Sequence, residues 1–595
     1  MARLRERWGA LLWTLLFAAA SSTCLAQVGL PDAAGWAAFD ALRFVAHAAA
    51  LALVVLAAAA GLARVLPAGL VRGLMAVLAT LALTFVAVDG RVYALTSQHL
   101  TPRALDYLLE ERARYTLGLQ GSDVAQLALV VLLFLALGAW AFASPPPPRP
   151  TVGLALAAVA LDVALASGGA VAAFRGLRDG DELGEALPVG FSAVDAERLE
   201  AWLGAPAPEL HPRQHFPRQT FRREVPSRLR TFPLPTGAQR RPDVLLVVVE
   251  SFRADAASGL PAFARLASSS LVFTGHRSAG NCTFLGNFSL LTGLPPCYWL
   301  AREAHRSPAG LTALAALGYD LALTHSAALD LGVDTKVLAP GTGHTLSAPP
   351  SLSPVELDDH NTRLALDWAA APRTAPSLFV LFYDSTHYPY WSRTEAPSAV
   401  GLVGGGADVE RARARYRQSV QEVDERLGQV LEALERAQRL DSTVVVVTGD
   451  HGESIDARGF GHGGRLDDDQ LRVPLLLHLP GVGARTVETT SLHQDVLPTL
   501  LAYLGAQPAP GEPAFGRDLL SPSPGQGLPL VGSYGVDRAA GYGVLGPEHT
   551  VLFTLGRHGP HPAGLLWPDG RVTAGAESDP VVGEAAALCG ALLEP

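Results

Sequence analysis

The chain has 595 residues, enough for two or more domains, and its formal net charge of −10 argues against nucleic-acid binding by bulk electrostatics. Hydrophobic residues make up 49% and charged residues 17%, with a mean hydropathy of +0.23, which is high for a wholly soluble protein and points to membrane segments. Arginine carries the positive charge, since Lys336 is the single lysine. The four cysteines, Cys24, Cys282, Cys297 and Cys589, lack CxxC spacing and argue against a cysteine zinc site. Cys282 and Cys297 could bridge in an extracytoplasmic domain.

Five apolar stretches precede residue 176, at roughly 8–26, 44–63, 65–88, 124–144 and 151–174. Each is close to the length of about 20 residues that a helix needs to cross a bilayer. Arg3, Arg5 and Arg7 place the N-terminus in the cytoplasm, and Arg64 with Arg72 place the second short turn there too. Residues 145–150, with Arg149, are then the third cytoplasmic piece, and everything after residue 175 lies outside. A cleaved signal peptide ending near Cys24-Leu25-Ala26 is the competing reading of the first stretch, and it leaves the sidedness unchanged. Thr101-Pro102 opens a short amphipathic segment with Leu105, Leu108 and Leu109 against Asp106, Glu110, Glu111, Arg112 and Arg114. It suits an interfacial helix or a packed surface helix equally. Asp162, in the middle of the last span, is expected to be a neutral or hydrogen-bonded interhelical residue.

Residues 176–240 change composition: prolines recur, and Arg213, Arg218, Arg222, Arg223, Arg228 and Arg230 lead to Arg240-Arg241. This reads as a solvated linker, with lipid phosphate as the alternative partner for its arginines. The domain map is therefore a transmembrane domain over 1–175, a linker over 176–240 and an extracytoplasmic domain over 241–595. That domain has a core at about 241–522 and a C-terminal part at 523–595.

From residue 241 strand-like and helix-like runs alternate. Residues 244–249, 378–382 and 444–447 are continuous apolar runs suited to buried parallel strands, and 416–438 reads as a long helix. The expected fold is an α/β sandwich, a central sheet between helices, in which ligands gather beyond the carboxyl ends of the strands. Glu250, Asp384 with His387, and Asp450-His451 all sit at such ends. Thr283 lies between them in sequence, ahead of Leu290-Leu291-Thr292-Gly293. Two carboxylates and an imidazole suit a borderline divalent ion, and a hydroxyl on that ion becomes a nucleophile near neutral pH. Glu250, Thr283, Asp450 and His451 are the expected ligands of one such ion, zinc or manganese first, with magnesium or calcium as alternatives. His387 and His462 are the candidates for binding phosphoryl oxygens or protonating a leaving group. Asn281-Cys282-Thr283 and Asn287-Phe288-Ser289 match glycosylation sequons, but their apolar flanks make both poor surface candidates.

Several ordered motifs over about residues 241–520 resemble the sulfatase branch of the alkaline phosphatase superfamily. They are Pro242-Asp243 through Asp255, Thr448-Gly449-Asp450-His451-Gly452-Glu453, Arg472-Val473-Pro474-Leu475, and His493-Gln494-Asp495 through Leu501. Sulfatases carry a cysteine or serine ten residues before the glycine of the Leu-Thr-Gly element, matured to formylglycine. Here that position is Thr283, which cannot become the aldehyde, and Cys282 is one place off. The Glu, Thr, Asp, His set is similar to that of lipoteichoic acid synthases and phosphoethanolamine transferases, which implies a threonine nucleophile and one bound metal. Residues 88–93, 278–283 and 288–290 resemble the inner-membrane sulfatase-like proteins of the YejM (PbgA) type. The resemblance implies an extracytoplasmic, metal-dependent hydrolase or transferase acting on phosphoesters, with a membrane lipid or lipid-linked phosphoester as substrate. Two alternatives stay open: a non-catalytic lipid-binding regulator with a membrane-protein partner, and a sulfuric ester hydrolase.

Overall fold

The computed structural model describes residues 15–19, 34–96, 128–137, 148–174, 241–299, 309–324, 343–349, 352–394, 409–456, 459–463, 465–505, 516–521, 530–534, 540–546, 549–556, 559–567 and 572–573. The chain divides into two compact units, one holding the described N-terminal helices and one the described residues from 241 onwards.

In the first unit, helices α1 (Ala34–Leu62), α2 (Ala68–Thr96) and α3 (Pro148–Phe174) stand where the second, third and fifth apolar stretches fall. Phe39–Leu62 and Gly69–Asp89 are long and apolar enough to cross a membrane; Ala128–Leu137 and Val152–Ser167 are shorter apolar helices. Alanines 48, 52 and 59 of α1 share a core with Val71, Met75, Ala79 and Leu83 of α2, and such small residues let apolar helices approach closely. Asp162 of α3 accepts a 2.9 Å hydrogen bond from Nδ1 of His47 on α1, and both are buried, as expected of an interhelical aspartate. The segment 101–114, the linker 176–240, Cys24 and Cys589 lie outside the described residues.

The second unit is built on an eight-stranded sheet. In chain order its strands are β1 (Asp243–Val249), β2 (Leu271–Phe273), β3 (Asp320–Thr324), β4 (Gly343–Leu346), β5 (Ser377–Tyr383), β6 (Thr443–Gly449), β7 (Leu475–His478) and β8 (Arg485–Val487). They lie side by side as β8-β2-β7-β6-β1-β5-β3-β4, and β7 runs antiparallel to both of its neighbours. The three apolar runs of the sequence are the three adjacent parallel strands at the centre, with Val244 paired to Leu378 on one side and Val444 on the other. Strand alternation explains why they are apolar throughout. Val244, Leu246 and Val248 join one core, and Leu245, Val247 and Val249 join the other.

The first core is closed by α5 (Thr283–Thr292), α6 (Ala309–Ala316) and α10 (His493–Tyr503). The second is closed by α4 (Pro261–Ala267), α7 (Pro354–Ala370) and α8 (Val409–Arg436); α9 (Asp468–Leu471) is a single turn leading into β7. Helix α8 begins seven residues before the expected 416, because Glu410 to Arg415 is a charged turn that carries no apolar signal. The C-terminal part forms a separate five-stranded antiparallel sheet of β9 (Leu530–Tyr534), β10 (Ala540–Leu545), β11 (Thr550–Gly556), β12 (Gly559–Leu566) and β13 (Val572–Thr573). This sheet reaches back to the site through Gly532, which donates to Ala279 O at 2.7 Å and accepts from Asn281 N at 3.1 Å.

Candidate metal-centred active site

Because β1, β5 and β6 are parallel neighbours, their carboxyl ends open on one edge, and the chain turns there into Glu250, Asp384 and Asp450. Ser251 turns the chain after Glu250 with φ +54, and its backbone N–H donates to Asp450 Oδ1 at 2.9 Å, lacing the two strand ends together. Thr283 is the first residue of α5, following Cys282 in an extended conformation. Gly286, one turn further, lets α5 lie directly on the Asp450 backbone: a Cβ there would be 2.1 Å from Asp450 O.

These elements bring the four expected ligands together. Thr283 Oγ1 lies 3.2 Å from Glu250 Oε1 and 3.2 Å from His451 Nε2. His451 Nε2 is 3.2 Å from Glu250 Oε1 and 3.5 Å from Asp450 Oδ2. All four side chains are buried. Burial pushes the Glu250 carboxyl up to about 7 and raises Asp450 well above the usual carboxylate range.

The donor set fits a divalent ion on three observations. Asp450 Oδ1 is occupied by the N–H groups of Ser251 and His451, whereas its buried Oδ2 has no hydrogen-bond partner. His451 Nδ1 donates to Gly452 O at 2.7 Å, which leaves the Nε2 lone pair facing Thr283 and Glu250. Glu250, His451 and His462 place one ligand atom each within 4.8 Å of one another.

That last group includes His462, which the sequence pattern had assigned to substrate alone. Its Nδ1 is bonded to Glu453 Oε2 at 2.9 Å, and its ring centroid is 4.0 Å from that of His451. His387 is bonded through Nδ1 to Tyr388 O at 2.6 Å, and its ring stands 5.2 Å from His462. Burial is the main cause that lowers the His387 pKa, favouring the neutral ring. All six expected residues therefore converge.

Glu453 is a member of this cluster that sequence reasoning passed over. Fully buried, it accepts from His462, from Tyr390 O–H at 2.9 Å and from Ser251 O–H at 3.2 Å. It stays ionised below its usual range because, against burial, His462 bonds to it. Its signal was its place three residues after Asp450 in a strand-end motif. Cys282 and Cys297 are two buried thiols and form no disulfide with each other, and burial pushes the Cys282 thiol up to about 12. Asn281 and Asn287 are buried, in keeping with the poor surface standing of both sequons.

A parallel-centred α/β sheet thus carries a buried Glu, Thr, Asp, His cluster at its carboxyl edge, a donor set suited to a divalent ion. Residues 242–506 match the sulfatase family and residues 5–145 match a domain of unknown function, DUF3413. The chain is similar to the inner membrane protein YejM of Salmonella typhi, 28% identical over 269 residues, which cover 44% of this chain and 41% of that protein. It thus spans about two fifths of the length of the curated relatives it first matches. A choline-sulfatase of Rhizobium meliloti (strain 1021) is 31% identical over 98 residues, 16% of this chain and 19% of the relative. Among solved structures, a phosphonate monoester hydrolase of Silicibacter pomeroyi aligns with 59% of this chain and 94% of its own, at TM-score 0.44 and 17% identity. A 2-O GAG sulfatase aligns with 59% and 91%, at TM-score 0.46 and 15% identity. A sulfatase match thus follows a DUF3413 match along the chain, and inner membrane proteins of the YejM type are among the proteins it is similar to. Ahead of the sulfatase match stand two helices long and apolar enough to cross a membrane, and the YejM relatives are named as inner membrane proteins.

Proposed function

We propose that this protein is a membrane-anchored, metal-dependent phosphoester hydrolase or transferase that uses Thr283 as its nucleophile. The observation that carries the reading is the Thr283 hydroxyl standing 3.2 Å from both a Glu250 oxygen and His451 Nε2, with Asp450 Oδ2 3.5 Å from the same imidazole nitrogen. Glu250, Asp450, His451 and Thr283 would hold one zinc or manganese ion. Bound there, the ion supplies positive charge that favours the ionised hydroxyl and offsets charge building on a phosphoryl oxygen.

The chain's own groups supply the rest. Thr283 Oγ1 gives its proton to the adjacent Glu250 carboxylate and attacks phosphorus; the Thr–O–P bond forms as the ester P–O bond breaks. The departing alkoxide takes a proton from His462, whose ring stands beside those of His451 and His387. Glu453 fixes the His462 ring through Nδ1 and leaves Nε2 to face the reacting centre. The phosphothreonine then passes its group to water or to an acceptor alcohol. Thr283 also starts α5, so the positive end of the helix dipole favours the anionic group that forms on it.

A phosphoester fits better than a sulfate ester, because threonine cannot be matured to the aldehyde that sulfatase chemistry uses. The arginines of the cytoplasmic turns support an extracytoplasmic site, within reach of lipid headgroups. The test is hydrolysis of an aryl phosphate by the purified, metal-loaded full chain. Wild type turns over and Thr283→Ala does not; equal rates for the two sink the proposal.

A further inference from the structure

His462 sits in a segment that cannot hold itself in place. Gly459-Phe460-Gly461-His462-Gly463-Gly464 is glycine-rich, and Gly461 and Gly463, on either side of the histidine, are both left-handed, with φ +98 and +86. The segment pairs with Ser454–Asp456 only as far as Gly461, so the backbone beyond it needs partners from elsewhere.

Two buried carboxamides supply them. Asn281, two residues before Thr283, accepts from Gly463 N through its backbone carbonyl at 2.8 Å, and its Nδ2 donates to Arg465 O at 2.7 Å. Gln470 Oε1 accepts from Arg465 N at 3.0 Å and from Asn281 Nδ2 at 3.2 Å; its Nε2 donates to Ser454 Oγ at 2.9 Å and to Gly461 O at 3.4 Å. The two side chains thus grip the histidine loop at 461 and 465 and grip each other, while the Asn281 backbone carbonyl holds it at 463. Asn281 N is in turn held by Gly532 of β9. Glu453 fixes the imidazole ring, while this pair fixes the backbone that carries it.

We infer that the buried carboxamides of Asn281 and Gln470 form a clamp that sets the His462 loop against the Thr283 loop, making them a positioning pair for the site. The inference rests on the reading of Thr283 and His462 as reacting groups, but the clamp itself is read without turnover. Asn281→Ala and Gln470→Ala each remove loop partners. Gln470→Glu is the gentler variant, keeping the acceptor for Arg465 N and losing the donor to Ser454 and Gly461.

Hydrogen-exchange mass spectrometry on the full chain should show faster exchange confined to residues 461–466, with bound metal and melting temperature unchanged. On one aryl and one alkyl phosphate, the variants should lose about 10- to 100-fold in rate. They should also reproduce the ratio of losses that His462→Ala gives on the same two esters, a pattern that general loosening would not copy. Unchanged exchange at 461–466, or exchange and melting lost across the whole domain in all three variants, overturns the clamp. If the wild type hydrolyses neither ester, the functional proposal fails, and the exchange result alone decides the clamp.

Discussion

Replacing Gly286 by alanine sets helix propensity against packing at one atom. Gly286 is inside α5, where alanine is the better helix former by about 1 kcal/mol, so local preference alone expects the variant to be more stable. The packing expects the reverse. The new Cβ would lie 2.1 Å from Asp450 O and 2.9 Å from Asp450 C, both backbone atoms that cannot swing aside. Ordinary contact requires a shift of roughly 1 Å or more, taken either by α5, which carries Thr283, or by the strand end that carries Asp450 and His451. Either movement opens the 3.2 Å contact between Thr283 and His451. Overpacking of this kind costs about 1–3 kcal/mol, and a displacement of about 1 Å at a reacting group costs about 100-fold in rate. Gly428→Ala in α8 is the control, since its Cβ would meet only Ala262 Cβ at 3.4 Å. Thermal melts and aryl phosphate kinetics on both variants make the comparison. Gly428→Ala should melt slightly higher with full activity, and Gly286→Ala lower with activity nearly gone. A Gly286→Ala protein that is both active and more stable would refute the close approach of α5 to Asp450.

Three other outcomes follow from the same geometry. The Glu250 carboxyl is raised from 4.5 to about 7 in the metal-free fold, so between those values the folded chain holds a proton that the unfolded chain has lost. Stability of the metal-free domain should therefore fall as pH rises from about 4.5 to about 7, while metal affinity climbs over that window with proton release, measurable by calorimetry in buffers of different ionisation enthalpy. Cys282, buried and with its thiol pushed up to about 12, should resist alkylation in the folded protein, and Cys282→Ala should keep its activity towards the aryl phosphate. In the N-terminal apolar helices, Asp162→Ala should lower stability in detergent by about 0.6–1.7 kcal/mol by removing the bond from His47, and Asp162→Asn should restore most of it.

The centre of the fold was legible because buried parallel strands announce themselves. Residues 244–249, 378–382 and 444–447 are apolar on both faces, and each ends at a residue suited to metal or phosphate chemistry. Order along the chain then sufficed to bring Glu250, Thr283, Asp450 and His451 to one place. The antiparallel β7, the polar start of α8 and the five-stranded C-terminal sheet were less legible, because short strands and charged helical turns carry little periodicity. Glu453, Asn281 and Gln470 were missed for a different reason. Each acts by hydrogen bonds that reach partners as far as 189 or 202 positions away in sequence, and a buried amide or carboxylate looks like any other polar residue until its partners are in place.

The central claim is that Thr283 takes the phosphoryl group. Its most direct test is acid quenching of the metal-loaded full chain during turnover of an aryl phosphate, followed by mass spectrometry of the peptide that contains residues 278–293. The account predicts a phosphoryl group on Thr283 that is absent without substrate and absent from Thr283→Ala quenched in the same way. Turnover with that peptide unmodified, or with the group on His387 or His462 instead, would contradict it.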